Sequence, residues 1–240
     1  MAWFFADRNF TDKYIVEGDD AQHIRKSLRM REGEELTLVS PDGTEHLCVI
    51  RSLSESVEVK EISAKATEQE PSVKVTLYQG LTKGDKMDFI VQKAVELGVT
   101  EIVPILTDRC ISRPDEKSMN KKTLRFQKIA LGAAQQSRRG IVPEVKPMLT
   151  LKEAAEKAKS DDVSIVFYEG GGKTIASLLK DNPKSVSIFI GSEGGFEESE
   201  IEYLINAGAV NATLGKRILR AETAPLAALS AIMFYTDNMN

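Results

Sequence analysis

Histidine and cysteine are scarce here, with two of each in 240 residues, and tryptophan occurs once. His23 and His46 alone give no material for a multi-histidine metal centre, so no metal is expected. Cys48 and Cys110 have neither metal-ligand spacing nor a disulfide framework. Both thiols fit a reducing cytoplasm as small buried hydrophobes. No apolar run approaches the roughly 20 residues that span a bilayer, so no membrane partner is expected. The first ten residues, MAWFFADRNF, hold an acid and a base but no apolar core, and no signal peptide is expected there. Internal repeats and low-complexity tracts are missing too.

What is present describes an ordinary globular protein, 42% hydrophobic and 28% charged, long enough for one large or two modest domains. The net charge of −4 does not suggest a nucleic-acid binder, but its distribution does. From Arg109 to Lys146 ten Lys and Arg face three acids, a local excess of +7. A basic face on an acidic body is an electrostatic footprint for phosphate. On charge alone, a solvated helix surface is the plainer explanation.

Residues 1–70 read as mostly β. ELTLVS (35–40), HLCVIRS (46–52) and SVEVKEI (56–62) are strand-like, and Asp42-Gly43 signals a hairpin. One helix is expected over 19–30, with Asp19 or Asp20 as its N-cap. A small barrel-like domain fits, followed by a polar linker over 64–72. From Val73 to the end, strands and helices alternate: helices near 86–98, 119–139, 152–159 and 223–236, strands near 101–106, 163–169, 187–191 and 209–215. That alternation predicts an α/β domain over 73–240 with a parallel sheet.

Three late strands each run into a turn of glycine or small residues: YEGGGK (168–173), IGSEGGF (190–196) and TLGKRILRA (213–221). Ligands of open α/β sheets sit beyond the carboxyl ends of the strands, so three such turns in series suggest one shared site. Familiar alternatives fail on spacing. A Walker A loop would need glycine at Phe167, and a nucleophile elbow would need it at Ile190. No G-x-G-x-x-G follows the first strand of the α/β half, so a dinucleotide site is unsupported.

FIGSEGGF (189–196), followed by LGKRILRAETAPLAAL (214–229), closely resembles the paired motifs of the 16S ribosomal RNA (uracil-N3)-methyltransferases of the SPOUT superfamily. KGDKMDFIVQKAVELGV (83–99), RFQKIALGAAQQSRR (125–139) and HIRKSLRMREGEEL (23–36) are similar to further motifs of that family, in the same order. The resemblance covers nearly the whole chain. Ser192 stands where proline is usual, Lys216 where proline is common and Ala221 where threonine is typical. None of these departures removes a charged group.

The resemblance implies a trefoil-knotted α/β domain over 73–240 and a PUA-like β-barrel over 1–70 that helps hold RNA. It implies S-adenosyl-L-methionine as cofactor, 16S rRNA of the small ribosomal subunit as substrate, a homodimer and a cytoplasmic location. The cofactor positions would be Tyr168, Glu169 and Gly170; Ile190, Gly191, Glu193, Gly194, Gly195 and Phe196; and Leu214, Gly215, Arg217, Ile218 and Leu219. Leu214, Ile218 and Leu219 would form apolar walls. Methylating N3 of uracil calls for a group that stabilises negative charge on the ring oxygens, and Arg220 is the first choice. Glu222 or Glu193 would accept the proton or orient Arg220. Arg25, Lys26, Arg29, Arg138 and Arg139 would meet RNA phosphate, with Arg25 and Arg29 sharing a helix face. Two other functions stay open at this point. One is a non-catalytic RNA-binding or assembly protein on the same fold. The other is a related enzyme acting on tRNA or on a ribose 2′-OH.

Overall fold

The computed structural model describes residues 2–239 and divides into two units. The first runs up to Glu70 and takes in Ala134–Val142; the second comprises Pro71–Ala133 and the chain from Pro143 onward.

In the first unit β1 (Ala2–Phe5), β2 (Lys13–Val16), β3 (Glu35–Val39), β4 (Thr44–Leu53) and β5 (Val57–Ala66) form one sheet in the order β1-β3-β4-β5-β2. The β1–β3 pair is parallel and the other pairs are antiparallel. Phe4 of one edge strand and Tyr14 and Val16 of the other share a single core with Leu36, Cys48, Ile50 and Val59. A flat sheet cannot bring its two edges to one core, so this one is curled. The expected hairpin joins β3 to β4, with Asp42 accepting from the Ser40 hydroxyl and the Thr44 amide. His46, buried on β4, bonds Ser40 Oγ at 3.0 Å through Nε2 and Glu61 at 2.5 Å through Nδ1.

Three expectations for this unit need correction. β1 and β2 were not foreseen: their alternation spans only four residues each. The region expected as linker begins inside β5, whose residues 64–66 still pair with β4. The helix is short, α1 (Gly18–Gln22) with Glu17 as N-cap, and passes into a π-helical turn at His23–Ser27. Arg25 lies in that turn, whereas Arg29 lies beyond it at φ 53°. The four-residue spacing therefore does not place them on one α-helical face.

The second unit begins with β6 (Lys74–Gly80), α2 (Lys86–Glu96) and β7 (Glu101–Leu106). The long α3 (Glu116–Ser137) follows, its last turn belonging to the first unit. Then come β8 (Glu144–Val145), β9 (Leu149–Thr150), α4 (Leu151–Ala158), β10 (Val163–Phe167) and α5 (Ile175–Leu179). β11 (Ser185–Ile190), α6 (Glu198–Asn206), β12 (Val210–Ala212) and α7 (Ala224–Tyr235) complete it. The sheet order is β12-β10-β11-β6-β7-β8, with β9 also on β7, and every pair is parallel. Strands buried on both faces read as continuous apolar runs, as VSIFI does.

One face packs Tyr78, Val103, Val166 and Phe189 against α4 and α6. The Tyr78 and Phe189 rings stack with centroids 4.6 Å apart, a contact worth about 1 kcal/mol beyond its buried area. α7 packs on β6 and β11 and against α2 and α5. Among the described residues, no helix is long and apolar enough to cross a membrane.

Candidate functional site

The order β12-β10-β11 makes the last three β-strands immediate neighbours, and because they are parallel their carboxyl ends lie at one end of the sheet. The three glycine-bearing turns leave from those ends. Together they enclose a cleft of about 410 Å³, within the usual range for a small-molecule site.

Every position expected to meet the cofactor lines this cleft except Gly170, and Arg220 lines it too. A side chain at Gly170 would run into the Tyr168 ring at 2.9 Å, so its part is to let that ring lie close. Ile218 stands at the rim, 83% exposed, while Leu214 and Leu219 are half-buried and form the apolar wall.

The 190–196 turn folds back on itself. The Gly195 amide donates to Ser192 O at 2.9 Å, and a Cβ on Gly191 would come within 2.8 Å of Gly195 Cα. Gly195 has φ +71°, in the left-handed region that favours glycine. Ser192 Oγ is buried in the cleft lining and, among the described residues, has no hydrogen-bond partner. A buried hydroxyl without a partner is costly, and a bound molecule would give it one.

Glu193 turns out of this loop toward β6. Its Oε1 accepts from the Lys83 amide at 2.9 Å and lies 3.4 Å from Lys86 Nζ. Burial pushes the Glu193 carboxyl up, but the Lys83 amide, its own amide and Lys86 together outweigh burial and hold it below its ordinary value. Such a carboxylate anchors the turn to the start of α2.

Glu222 does not line the cleft. It pairs with Lys86 at 3.5 Å and with Arg220 at 3.9 Å, while the Arg220 side chain is 84% exposed. Of the two roles considered for it, orienting Arg220 fits this placement.

Arg109, just past the end of β7, also lines the cleft. Its Nε and Nη2 form a two-pronged bond to Glu197 at 2.8 and 2.9 Å, and Nη1 donates to Gly194 O at 3.1 Å. Sequence reasoning counted Arg109 only as charge. Its place directly after an apolar strand was the available signal. The Arg109 hydrogen bond holds the Glu197 carboxyl below its usual value.

Arg25, Lys26, Arg29 and Arg138 are exposed. Arg139 is not: it is 4% exposed and bonds the Glu70 carboxylate at 2.9 and 2.6 Å, an arrangement entirely within the first unit. It is withdrawn from the set that meets RNA. Among the described residues, no group of three or more His, Cys, Asp or Glu is arranged to hold a metal ion.

A cleft of glycine turns at the carboxyl edge of a parallel sheet defines a small-molecule-binding α/β protein. The family model described as "RNA methyltransferase domain" matches residues 68–233, and "RNA methyltransferase PUA domain" matches 16–62. Ribosomal RNA small subunit methyltransferase E of Bacillus subtilis is 36% identical over 232 residues, covering 93% of this chain and 91% of that one. The Aquifex aeolicus protein of the same name is 30% identical, covering 97% and 99%. Among solved structures, a Neisseria gonorrhoeae ribosomal RNA small subunit methyltransferase E bound to S-adenosyl methionine superposes with a TM-score of 0.90. It is 33% identical and covers 98% of this chain and 97% of that one. The chain belongs to the ribosomal RNA small subunit methyltransferase E family.

Proposed function

We propose that this protein uses S-adenosylmethionine to methylate N3 of a uridine in the 16S RNA of the small ribosomal subunit. The carrying observation is the single cleft built by three neighbouring strand ends, in a chain of this family. The residues fit the cofactor. Exposed backbone of the glycine turns supplies donors and acceptors for an adenine edge, Leu214 and Leu219 supply apolar contact, and Ser192 Oγ supplies a buried polar atom in need of a partner.

When bound, the cofactor supplies an electrophilic methyl group on a sulfonium. Uracil N3 carries a proton and is a poor nucleophile until that proton leaves. Arg220 stabilises the negative charge that then spreads onto the ring oxygens, its planar fork matching a carbonyl. The same stabilisation eases loss of the N3 proton, which passes to solvent water at this exposed arginine. Glu222 orients Arg220, and Arg109 and Glu193 hold the 190–196 turn in shape.

The first unit acts as a PUA-like RNA-holding domain, with Arg25, Lys26 and Arg29 at phosphate, joined by Arg138. The second unit has the knotted path of SPOUT enzymes and forms a homodimer. Support for the dimer comes from α7, which is apolar around most of its surface and leaves Phe234 69% and Tyr235 43% exposed. The protein works in the cytoplasm, where its substrate is found, and without a metal.

The test is mass spectrometry of rRNA nucleosides from a strain lacking this protein, with and without the gene restored. Loss of one methyluridine, regained on restoration, is expected. An unchanged nucleoside profile, with cofactor still bound by the pure protein, would favour a non-catalytic RNA-binding role.

A further inference from the structure

The described residues contain one cation that touches two of the site's loops at once. Lys86 Nζ lies 3.4 Å from Glu193 on the 190–196 turn and 3.5 Å from Glu222, two residues after Arg220. All three side chains belong to the second unit. Glu193 and Glu222 are about one-fifth exposed and Lys86 38% exposed, so this is a partly sheltered cluster.

The position of Lys86 works against local helix preference. It is the first residue of α2, whose N-terminal end carries partial positive charge and favours acids. A local rule broken without local gain points to a demand from elsewhere. Here the demand is visible, since the two carboxylates approach α2 from different loops. Glu193 has a second anchor in the Lys83 amide, whereas among the described residues Glu222 has only the exposed Arg220 besides Lys86. The ammonium is therefore the firmer of the two cations holding Glu222.

We infer that Lys86 is a positioning residue that sets the 213–223 loop, and with it Arg220, in register with the cofactor turn. It does not touch the substrate; it acts through Glu222 on Arg220 and through Glu193 on the turn. Its effect should therefore fall on the rate of methyl transfer and, less strongly, on cofactor affinity. This inference rests on the proposed methyltransferase function.

The experiment combines single-turnover methylation of small ribosomal subunits from a strain lacking the protein with calorimetric binding of S-adenosylhomocysteine. The variants are Lys86→Met, Lys86→Arg, Glu222→Gln and the double change Lys86→Met with Glu222→Gln. Lys86→Met should lose about 10²-fold in rate, the scale of a small misplacement of a catalytic group. It should weaken S-adenosylhomocysteine binding only a few-fold, because Glu193 keeps its hydrogen bond from the Lys83 amide. Lys86→Arg should regain most of the rate. The double variant should be no slower than the slower single one, the signature of residues that act as a unit.

A Lys86→Met rate within about twofold of the unaltered protein, or losses that multiply in the double variant, would overturn the assignment. If Lys86→Met fails to fold, Lys86→Gln and the Lys86→Arg rescue carry the same comparison. An unaltered protein that binds S-adenosylhomocysteine yet methylates nothing would defeat the enzymatic function instead. In that case an unchanged S-adenosylhomocysteine affinity in Lys86→Met would count against the positioning role separately.

Discussion

Arg109 and Glu197 meet through a two-pronged bond, at 2.8 and 2.9 Å, that ties the loop after β7 to the start of α6. Arg109 also donates to Gly194 O, so one side chain braces the C-terminal half of the 190–196 turn. Arg109→Ala and Glu197→Gln should each weaken S-adenosylmethionine binding by roughly three- to tenfold, the scale of one or two hydrogen bonds. Their melting temperatures should barely move, since an exposed pair adds little to global stability. Calorimetry and thermal melts, run side by side, check this.

Acid should loosen the same turn. The Glu193 and Glu197 carboxyls both sit below their ordinary values in the folded protein. A group with a lowered folded pKa stabilises the fold above its unfolded pKa, and that contribution disappears as pH falls through the folded value. Cofactor affinity should thus be flat in this respect from pH 6 to 8 and fall on the acid side of the ordinary carboxylate range. Glu193→Gln and Glu197→Gln should each shrink that acid limb, as measured by binding at a series of pH values.

Two glycines of the turn should fail for different reasons. At Gly191 an added Cβ collides with Gly195 backbone, so Gly191→Ala should abolish cofactor binding. At Gly195 nothing lies within 4 Å, but φ is +71°. Gly195→Ala should then cost only the left-handed strain of about 1 kcal/mol and leave weakened binding, whereas Gly195→Val should be worse because branching stiffens the backbone preference.

Three arginines should separate cleanly by assay. Arg220→Ala should lose about 10²–10³ in single-turnover rate with cofactor affinity nearly intact, and Arg220→Lys should rescue it only in part. Arg25→Ala should weaken RNA binding and flatten its salt dependence without slowing chemistry at saturating RNA. Arg139→Ala should do neither directly. It leaves Glu70 without its buried partner and should destabilise the first unit by about 3 kcal/mol, read as a lower denaturant midpoint.

Burial pushes the Cys48 thiol up to about 12. Cys48 and Cys110 are both buried. Because the thiolate is the reactive form, neither should be alkylated by iodoacetamide at pH 8 in the native protein. Both should react in denaturant, which mass spectrometry of the labelled chain will count.

The α/β half was legible because its strands are buried on both faces: VSIFI and EIVPIL announce themselves, and the turns after them mark where the sheet ends. The cleft followed from those turns. Lys86 and Arg109 were harder to see because each acts on carboxylates about 90 to 140 positions away. Only the strand order brings them together, and no periodicity encodes strand order. Arg139 was misjudged for a related reason. A charged residue in a basic stretch looks solvated until its partner, Glu70, is seen 69 residues earlier. β1 and β2 were missed because four residues carry too little alternation to stand out.

Glu70 accepts from the Arg139 side chain and from the amides of Gly140 and Ile141, and Trp3 donates to Arg139 O. The first unit is therefore finished by residues that leave the ribosome long after its own sheet has been made. During synthesis its β-strands can pair early, but Trp3 and Glu70 must wait for a further 70 or so residues before their partners exist. The N-terminal sheet should thus pass through a stage in which the Glu70 carboxylate, half-buried once folded, is still fully hydrated, and closure of that unit becomes a late event in biogenesis, set by chain elongation and not by its own collapse.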